Sequence, residues 1–302
     1  MDRLDAMRVF VAVAEAGSLS AAARRMRAPL TSVSRKLGAL EDELGVRLVM
    51  RTTRKLALTD VGRGYLDSCR RVLGEVEDGE RLAAGAQAEP RGVLSITAPI
   101  VFGRLHVLPV IAELLAAYPA LDVRLSMSDR VVDLVEDGLD AAVRIGVLAD
   151  SSAVAIKLGE VRYVVCASPA YLRARGTPET PDDVAPHACI MFAPWSFRGR
   201  RIAIHARLAV DTAEAALDAA LAGLGLTRVL SYQAAEHVRA GRLKIVLAEH
   251  EDPPLPVHVV HADARLVPAR LRAFVDFAVP RLRARLRSIR DIAGSSRSTR
   301  SR

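Results

Sequence analysis

The sequence predicts two kinds of fold in one chain: a small helical N-terminal unit, then a long helix, then a larger α/β body in two lobes. Three observations carry this. Apolar residues recur at helical spacing through residues 3–44 and again through 60–86. From Gly92 onward, strand-like runs alternate with helix-like ones. Charge is also divided along the chain. Residues 1–58 hold 11 basic and 6 acidic side chains, residues 59–280 hold 24 and 28, and residues 281–302 hold 8 and 1. With 302 residues and 51% apolar content, the chain is long enough for two or three compact units. Basic ends on a mildly acidic body fit an anionic polymer gripped by one end of the protein.

In the N-terminal unit, Leu4, Met7, Phe10, Val11 and Ala14 mark an amphipathic helix over residues 3–16, stopped by Gly17. Ser18 stands where an N-cap belongs, ahead of an alanine-rich helix, Leu19–Met26. Pro29 marks a turn, and a third helix begins near Leu30. Its stripe Val33, Leu37, Leu40 and Leu44 ends at Gly45, a C-terminal cap. Two short helices joined by a tight turn make a helix-turn-helix, whose second helix inserts its N-terminal polar face into the major groove. The residues expected there are Leu30, Thr31, Ser32, Ser34, Arg35 and Lys36, with Ser18 at the head of the preceding helix. Hydroxyls and cations suit base edges and phosphates. An ordinary three-helix core with a solvated polar face would show the same periodicity. The next residues weigh against it. Val46–Met50 and Lys55–Leu58 are strand-like runs around Arg51, Thr52, Thr53, Arg54 and Lys55. A hairpin with a basic, hydroxyl-rich tip is a wing placed to contact phosphates. Residues 1–59 are therefore expected to form an all-α winged helix-turn-helix domain that binds double-stranded DNA.

The sequence resembles the LysR-type transcriptional regulators. The resemblance runs from Leu4 through Gly64 and is carried by Phe10, Ala14, Gly17-Ser18, Ala21-Ala22-Ala23, Val33-Ser34-Arg35, Leu40-Glu41, Leu44-Gly45, Arg47-Leu48, Arg51 and Leu58-Thr59-x-x-Gly62. Leu30-Thr31 departs from it, since the family commonly carries small or polar residues there.

Thr59 reads as the N-cap of one long helix over 60–86, with Val61, Tyr65, Cys69, Val72, Val76 and Ala83 at spacings of three and four apart from one interruption at Gly79. Such a stripe serves either as a pairing seam or as the face laid against its own domain. The resemblance implies the seam, a linker helix through which two subunits pair. Residues 60–90 are assigned as this linker helix and hinge.

Over 91–290, the expected elements are strands Val93–Ala98, Asp122–Ser128, Ala141–Ile145, Val161–Ala167, Cys189–Phe192, Leu208–Val210, Leu226–Leu230, Leu243–Leu247 and Val257–His261. Helices are expected at 101–117, 131–137, 213–222, 232–240 and 269–286, the last with a kink at Pro280. Alternation of this kind implies largely parallel sheets covered on both faces, in two lobes around a cleft. Ligands in open α/β sheets bind outside the carboxyl ends of strands. That rule selects Thr97, Pro99, Phe102, Ser126, Ser128, Arg144, Gly146 and Thr227 as effector-binding candidates. The resemblance extends here through Ser128-Asp-Arg-Val-Val-Asp-Leu-Val, Ala142-Val-Arg-Ile-Gly146 and Gly225-Leu-Thr-Arg-Val-Leu-Ser-Tyr232. It implies a two-lobed domain like a periplasmic binding protein, responsive to a small molecule, with anions among the candidates. Residues 291–302 read as a disordered basic tail.

No P-loop, nucleophile elbow or complete dinucleotide fingerprint is present in the sequence, and no cofactor is expected. Three sparse cysteines lack zinc spacing, and Cys166 and Cys189 would be redox-linked only if the fold joined them. No metal site is expected. No apolar run reaches the roughly 20 residues of a membrane span, and charges at Asp2, Arg3, Asp5 and Arg8 break any signal peptide. The expectation is a cytoplasmic, non-enzymatic regulator, homodimeric or homotetrameric, with no membrane partner and with RNA polymerase as a further candidate partner. Its rivals are an enzyme with an appended DNA-binding head and an architectural DNA binder without sequence preference.

Overall fold

The computed structural model describes residues 2–51, 56–83, 89–130, 132–134, 136–148, 153–262 and 267–294. Contacts divide the chain into two units, Met1–Val93 and Leu94–Arg302.

The first unit contains α1 (Arg3–Ala16), α2 (Leu19–Met26), α3 (Leu30–Leu44), β1 (Val49–Arg51), β2 (Leu56–Leu58) and α4 (Asp60–Ala83). Local chemistry sets the ends. The Asp2 carboxylate accepts from the Leu4 and Asp5 amides, Ser18 Oγ accepts from Ala21 N at 3.1 Å, and Gly17 and Gly45 take the left-handed cap conformation. The core gathers Val9, Phe10, Val13, Ala22, Val33, Leu37, Leu40 and Leu48. Burial of each large apolar side chain contributes about 1.5–3 kcal/mol. The first wing strand begins at Val49, three residues later than expected. The two wing strands pair antiparallel with Val49 opposite Leu58 and Arg51 opposite Leu56.

The sequence Leu58-Thr59-x-x-Gly62 acquires a physical reason here. Thr59 Oγ1 donates to Arg47 O and accepts from Gly62 N, both at 2.8 Å, while Thr59 N donates to Leu48 O at 3.0 Å. Leu48 O approaches so closely that a Cβ on Gly62 would lie 2.0 Å from it. Only glycine lets the start of α4 meet the wing. The expected single stripe on α4 divides. Leu66, Cys69 and Leu73 are buried, the first two within the unit's own core, whereas Val61 is 56% exposed and Val72 and Val76 are half-buried. The face that turns inward is set by the close approach at Gly62, one residue beyond Val61.

The second unit holds two five-stranded sheets. One has β3 (Gly92–Ala98), β4 (Leu121–Met127), β5 (Ala141–Ile145), β6 (Val154–Val161) and β14 (Leu255–His261) in the order β4-β3-β5-β14-β6. The other has β7 (Tyr163–Ala167), β8 (Cys189–Met191), β11 (Ala206–Ala209), β12 (Leu226–Leu230) and β13 (Lys244–Val246) in the order β11-β8-β12-β7-β13. A hairpin of β9 (Ser196–Phe197) and β10 (Arg200–Arg201) stands apart. The helices are α5 (Ile100–Phe102), α6 (Leu108–Ala117) with a π-turn, Gly103–Val107, between them, α7 (Pro169–Arg175), α8 (Ala213–Leu221), α9 (Ser231–Arg239) and α10 (Ala269–Gly294).

Four expectations are corrected. The sheets are mixed. β3 with β5, and β8 with β11 and β12, run parallel, but β14 is antiparallel to β5 and β6, and β7 to β12 and β13. The chain crosses between lobes twice, at Arg162 and through 247–254. A strand arriving from the other lobe enters where its neighbours leave. The helix expected at 131–137 is replaced, among the described residues, by turns. There Asp133 Oδ1 takes the Glu136 amide at 3.0 Å and Asp133 O takes the Asp137 amide at 3.1 Å, which closes one capped turn. Strand β6 escaped the sequence reading because it is an edge strand whose residues are mostly exposed or half-buried. Finally, α10 continues past Pro280 to Gly294, so residues 291–294 of the expected tail are helical, and the rest of the tail lies outside the described residues.

The run Ile100–Ala117 is long and apolar enough to cross a membrane by length and composition. Its Val101, Phe102, Val107, Val110, Ile111 and Leu114 pack into the core of the first lobe instead. Cys166 and Cys189 lie on strands separated by β12 and face different cores, on opposite sides of the sheet. They do not pair, and burial pushes each thiol up to about 12.

Candidate functional site

In the first unit, the expected reading helix is α3. Thr31 and Arg35 are exposed, and Ser32 and Ser34 are half-buried beside them. Among the described residues Arg35 makes no ion pair, so its guanidinium projects free. Lys36 behaves differently: its Nζ lies 2.5 Å from Asp5 Oδ2, which draws it back onto α1. Ser18 is committed to capping α2. Leu30 is 46% exposed at the first position of α3, whose cap residue, Pro29, supplies no side-chain acceptor. Arg51 ends β1, and the wing tip, Thr52, Thr53, Arg54 and Lys55, lies outside the described residues.

Sequence reasoning missed the residue that fixes helix and wing together. Glu41, on α3, is 3% exposed. Its Oε1 accepts from Leu48 N at 2.8 Å and Val49 N at 3.1 Å, and its Oε2 from Arg47 at 2.8 Å. Burial pushes this carboxyl upward, but the three hydrogen bonds outweigh it and hold it below its ordinary value. The signal was present as an acidic residue one position after Leu40 on the apolar stripe.

In the second unit, the eight effector candidates have different fates. The Ala98 carbonyl accepts from Ser128 N at 2.9 Å, bringing the Thr97–Pro99 and Ser128 segments together. Thr97 is 1% exposed, and among the described residues its buried Oγ1 has no hydrogen-bond partner. Pro99 precedes α5, and Phe102 is buried against His106 and Tyr232, with ring centroids 4.8 and 5.3 Å away. Ser126 is exposed. Ser128 Oγ accepts from Arg130 N at 3.2 Å, and Arg144 donates to the Arg130 and Val132 carbonyls at 3.3 and 3.1 Å. Gly146 N donates to Pro256 O at 2.9 Å, and buried Thr227 bonds Ile190 O at 3.5 Å. Asp129, not foreseen, accepts from Ile100 N at 3.1 Å and so caps the head of α5.

Phe102–Tyr232 and an ion pair between Arg104 and Glu214 at 3.1 Å connect the lobes. Burial draws His106 down to about 4 and lifts Tyr232 well above the ordinary phenol value, so both rings are neutral at pH 7. Two cavities, of about 680 and 500 Å³, are lined by none of the eight candidates. The larger borders both crossovers, touching Val161, Arg162, Ser231, Glu251, Asp252 and Ile289. Among the described residues no cluster of histidine, cysteine and carboxylate side chains is arranged to hold a metal.

A helix-turn-helix with a wing, followed by a two-lobed α/β unit, defines the architecture of a ligand-responsive DNA-binding regulator. Comparison with known proteins agrees. Residues 4–63 match the model of the bacterial regulatory helix-turn-helix protein, lysR family, and residues 87–283 match the LysR substrate binding domain. The chain belongs to the LysR family of transcriptional regulators. It is 35% identical over 288 residues to an HTH-type transcriptional regulator of Xanthomonas campestris pv. campestris, covering 91% of this chain and 84% of that one. An HTH-type transcriptional repressor of Pseudomonas aeruginosa is 34% identical, with 92% of each chain covered. Among solved structures, CrgA, a LysR-type transcriptional regulator from Neisseria meningitidis, aligns with TM-score 0.59 at 32% identity, over 92% of this chain and 98% of that one.

Proposed function

We propose that this regulator binds operator DNA as a homodimer or homotetramer, reading one half-site per head through α3 with the wing on adjacent phosphates. The observation that carries the reading is the Glu41 latch: it holds the wing backbone against the reading helix while Thr31 and Arg35 stay exposed. Two-fold pairing multiplies a modest half-site affinity when the operator is palindromic. The exposed Val61 and half-buried Val72 and Val76 of α4 are the candidate pairing face. A small molecule bound between the lobes shifts their arrangement, and effector and operator affinities are then reciprocally coupled. The site of action is the cytoplasm, RNA polymerase is a further partner, and the chain catalyses no reaction.

A gel shift with the DNA upstream of its own reading frame, at two salt concentrations and against scrambled competitor, tests the operator reading. Equal competition by scrambled DNA would defeat it in favour of an architectural binder. Arg35→Ala is expected to weaken specific binding by about 1–3 kcal/mol. A uniform loss on all sequences would instead assign Arg35 to a phosphate.

For the effector, the residue of choice is Thr97, whose buried hydroxyl has no partner among the described residues. Thr97→Val is expected to raise the melting temperature of the free protein, because an unpaired buried hydroxyl costs about 1–3 kcal/mol. The same variant should lose the stabilisation that a metabolite screen detects with the natural protein. Retention of that ligand response would remove Thr97 from the site. The cavity at the crossovers is the second location for a ligand, since anything filling it would press on both connections between the lobes. Protection of residues 160–162 and 248–254 from hydrogen exchange, rather than 97–102, would favour it.

A further inference from the structure

The head of α3 shows two features that work against stability. Its first residue is a leucine left 46% exposed, and its cap position is Pro29, which offers no side chain to the first-turn amides. By contrast, Asp2 caps α1 and Ser18 caps α2. The Pro29 carbonyl takes the amides of Ser32 and Val33, while among the described residues those of Leu30 and Thr31 have no acceptor. At about 100° per residue, Leu30 falls between the core stripe of Val33 and Leu37 and the polar face of Ser34 and Arg35. It therefore borders the reading face without being absorbed by the core. Two turns on, Gly38 has open space where a Cβ would stand, which lets the helix backbone lie close to whatever it faces.

A half-exposed leucine beside hydroxyls and a free arginine matches one feature of the major groove, the 5-methyl group of thymine. That group is the apolar element of base-edge readout. We infer that Leu30 reads a thymine methyl, making an A·T pair at its position a determinant of operator choice. The inference rests on the operator-binding reading above.

The test begins by selecting a preferred duplex from a random pool with the full-length protein. Each thymine is then replaced in turn by deoxyuridine, which removes only the methyl. Affinities are measured at fixed salt for the natural protein, Leu30→Ala and Leu30→Met. One thymine per half-site is expected to lose about threefold to tenfold in affinity for the natural protein. Leu30→Met should retain that sensitivity, and Leu30→Ala should lose it while treating every other thymine as the natural protein does. A preferred duplex whose binding ignores every methyl, or a methyl dependence that survives in Leu30→Ala, overturns this inference alone. A pool that yields no preferred sequence overturns it together with the operator reading.

Discussion

Glu41→Ala is expected to lower the stability of the N-terminal unit by about 3 kcal/mol and to weaken operator binding more than tenfold. The magnitude follows from what the carboxylate holds. Leu48 N and Val49 N are buried amides whose acceptor is Glu41 Oε1, and leaving a buried donor unpaired costs about 1–3 kcal/mol for each. Binding suffers along with stability because the same bonds set where the wing stands relative to α3, and a misplaced wing forfeits its phosphate contacts. Hydrogen exchange at Leu48 and Val49 is the direct readout, and unchanged protection in Glu41→Ala would refute the latch. Glu41→Gln keeps one acceptor oxygen without the charge facing Arg47, so it should fall between the two.

The latch also gives a pH dependence with a definite sign. Burial alone would raise this carboxyl, but the bonds from Val49 N, Arg47 and Leu48 N bring it below its ordinary value. Its contribution to stability is therefore complete above the unfolded carboxyl pKa of about 4.3 and is lost as pH falls through the lower folded value. In Glu41→Ala, the acid limb of the stability profile should flatten.

What was legible in the sequence was whatever local chemistry dictates. Gly17, Ser18, Pro29 and Gly45 fixed the ends of three helices because capping and left-handed turns depend on one residue and its immediate neighbours. The exposed polar face of α3 was legible for the same reason. Periodicity separates Val33 and Leu37 from Arg35 without knowledge of the rest of the chain. Long-range placement was not legible. No spacing rule announces that Lys36 folds back on Asp5, that Glu41 reaches the wing, or that Asp129 fills the head of α5. Strand direction failed for a related reason, since β14 reads as any apolar strand until its entry from the other lobe is known. The effector candidates were chosen by their position at strand ends. That position did not reveal that Ser128 and Arg144 would spend their polar atoms on neighbouring backbone while Thr97 would not.

The second large effect concerns the crossover between the lobes. Arg228, 4% exposed on β12, donates to Asp252 Oδ2 at 2.7 Å and to Pro194 O at 2.5 Å, and lies over the Tyr163 ring at 4.0 Å. Asp252 in turn accepts from Ser196 Oγ at 2.6 Å and Gly199 N at 2.7 Å. Burial would raise Asp252, but these bonds and Arg228 hold it below its ordinary value. Asp252→Ala leaves a buried guanidinium without its carboxylate, an arrangement that costs about 3–5 kcal/mol. Trp195, the single tryptophan of the sequence, is 2% exposed beside Pro194, so urea unfolding followed by its fluorescence reads the loss where it occurs. An unchanged midpoint would show that water replaces the carboxylate without cost. Because the penalty lies in the orphaned charge and not in the lost attraction, the double variant Arg228→Met with Asp252→Leu should recover most of the stability that Asp252→Ala alone removes. It should not restore the tie between the 194–201 hairpin and the crossover. Hydrogen exchange across residues 194–201 should therefore remain faster in the double variant than in the natural protein, which separates the stability of this lobe from the stiffness of its hinge.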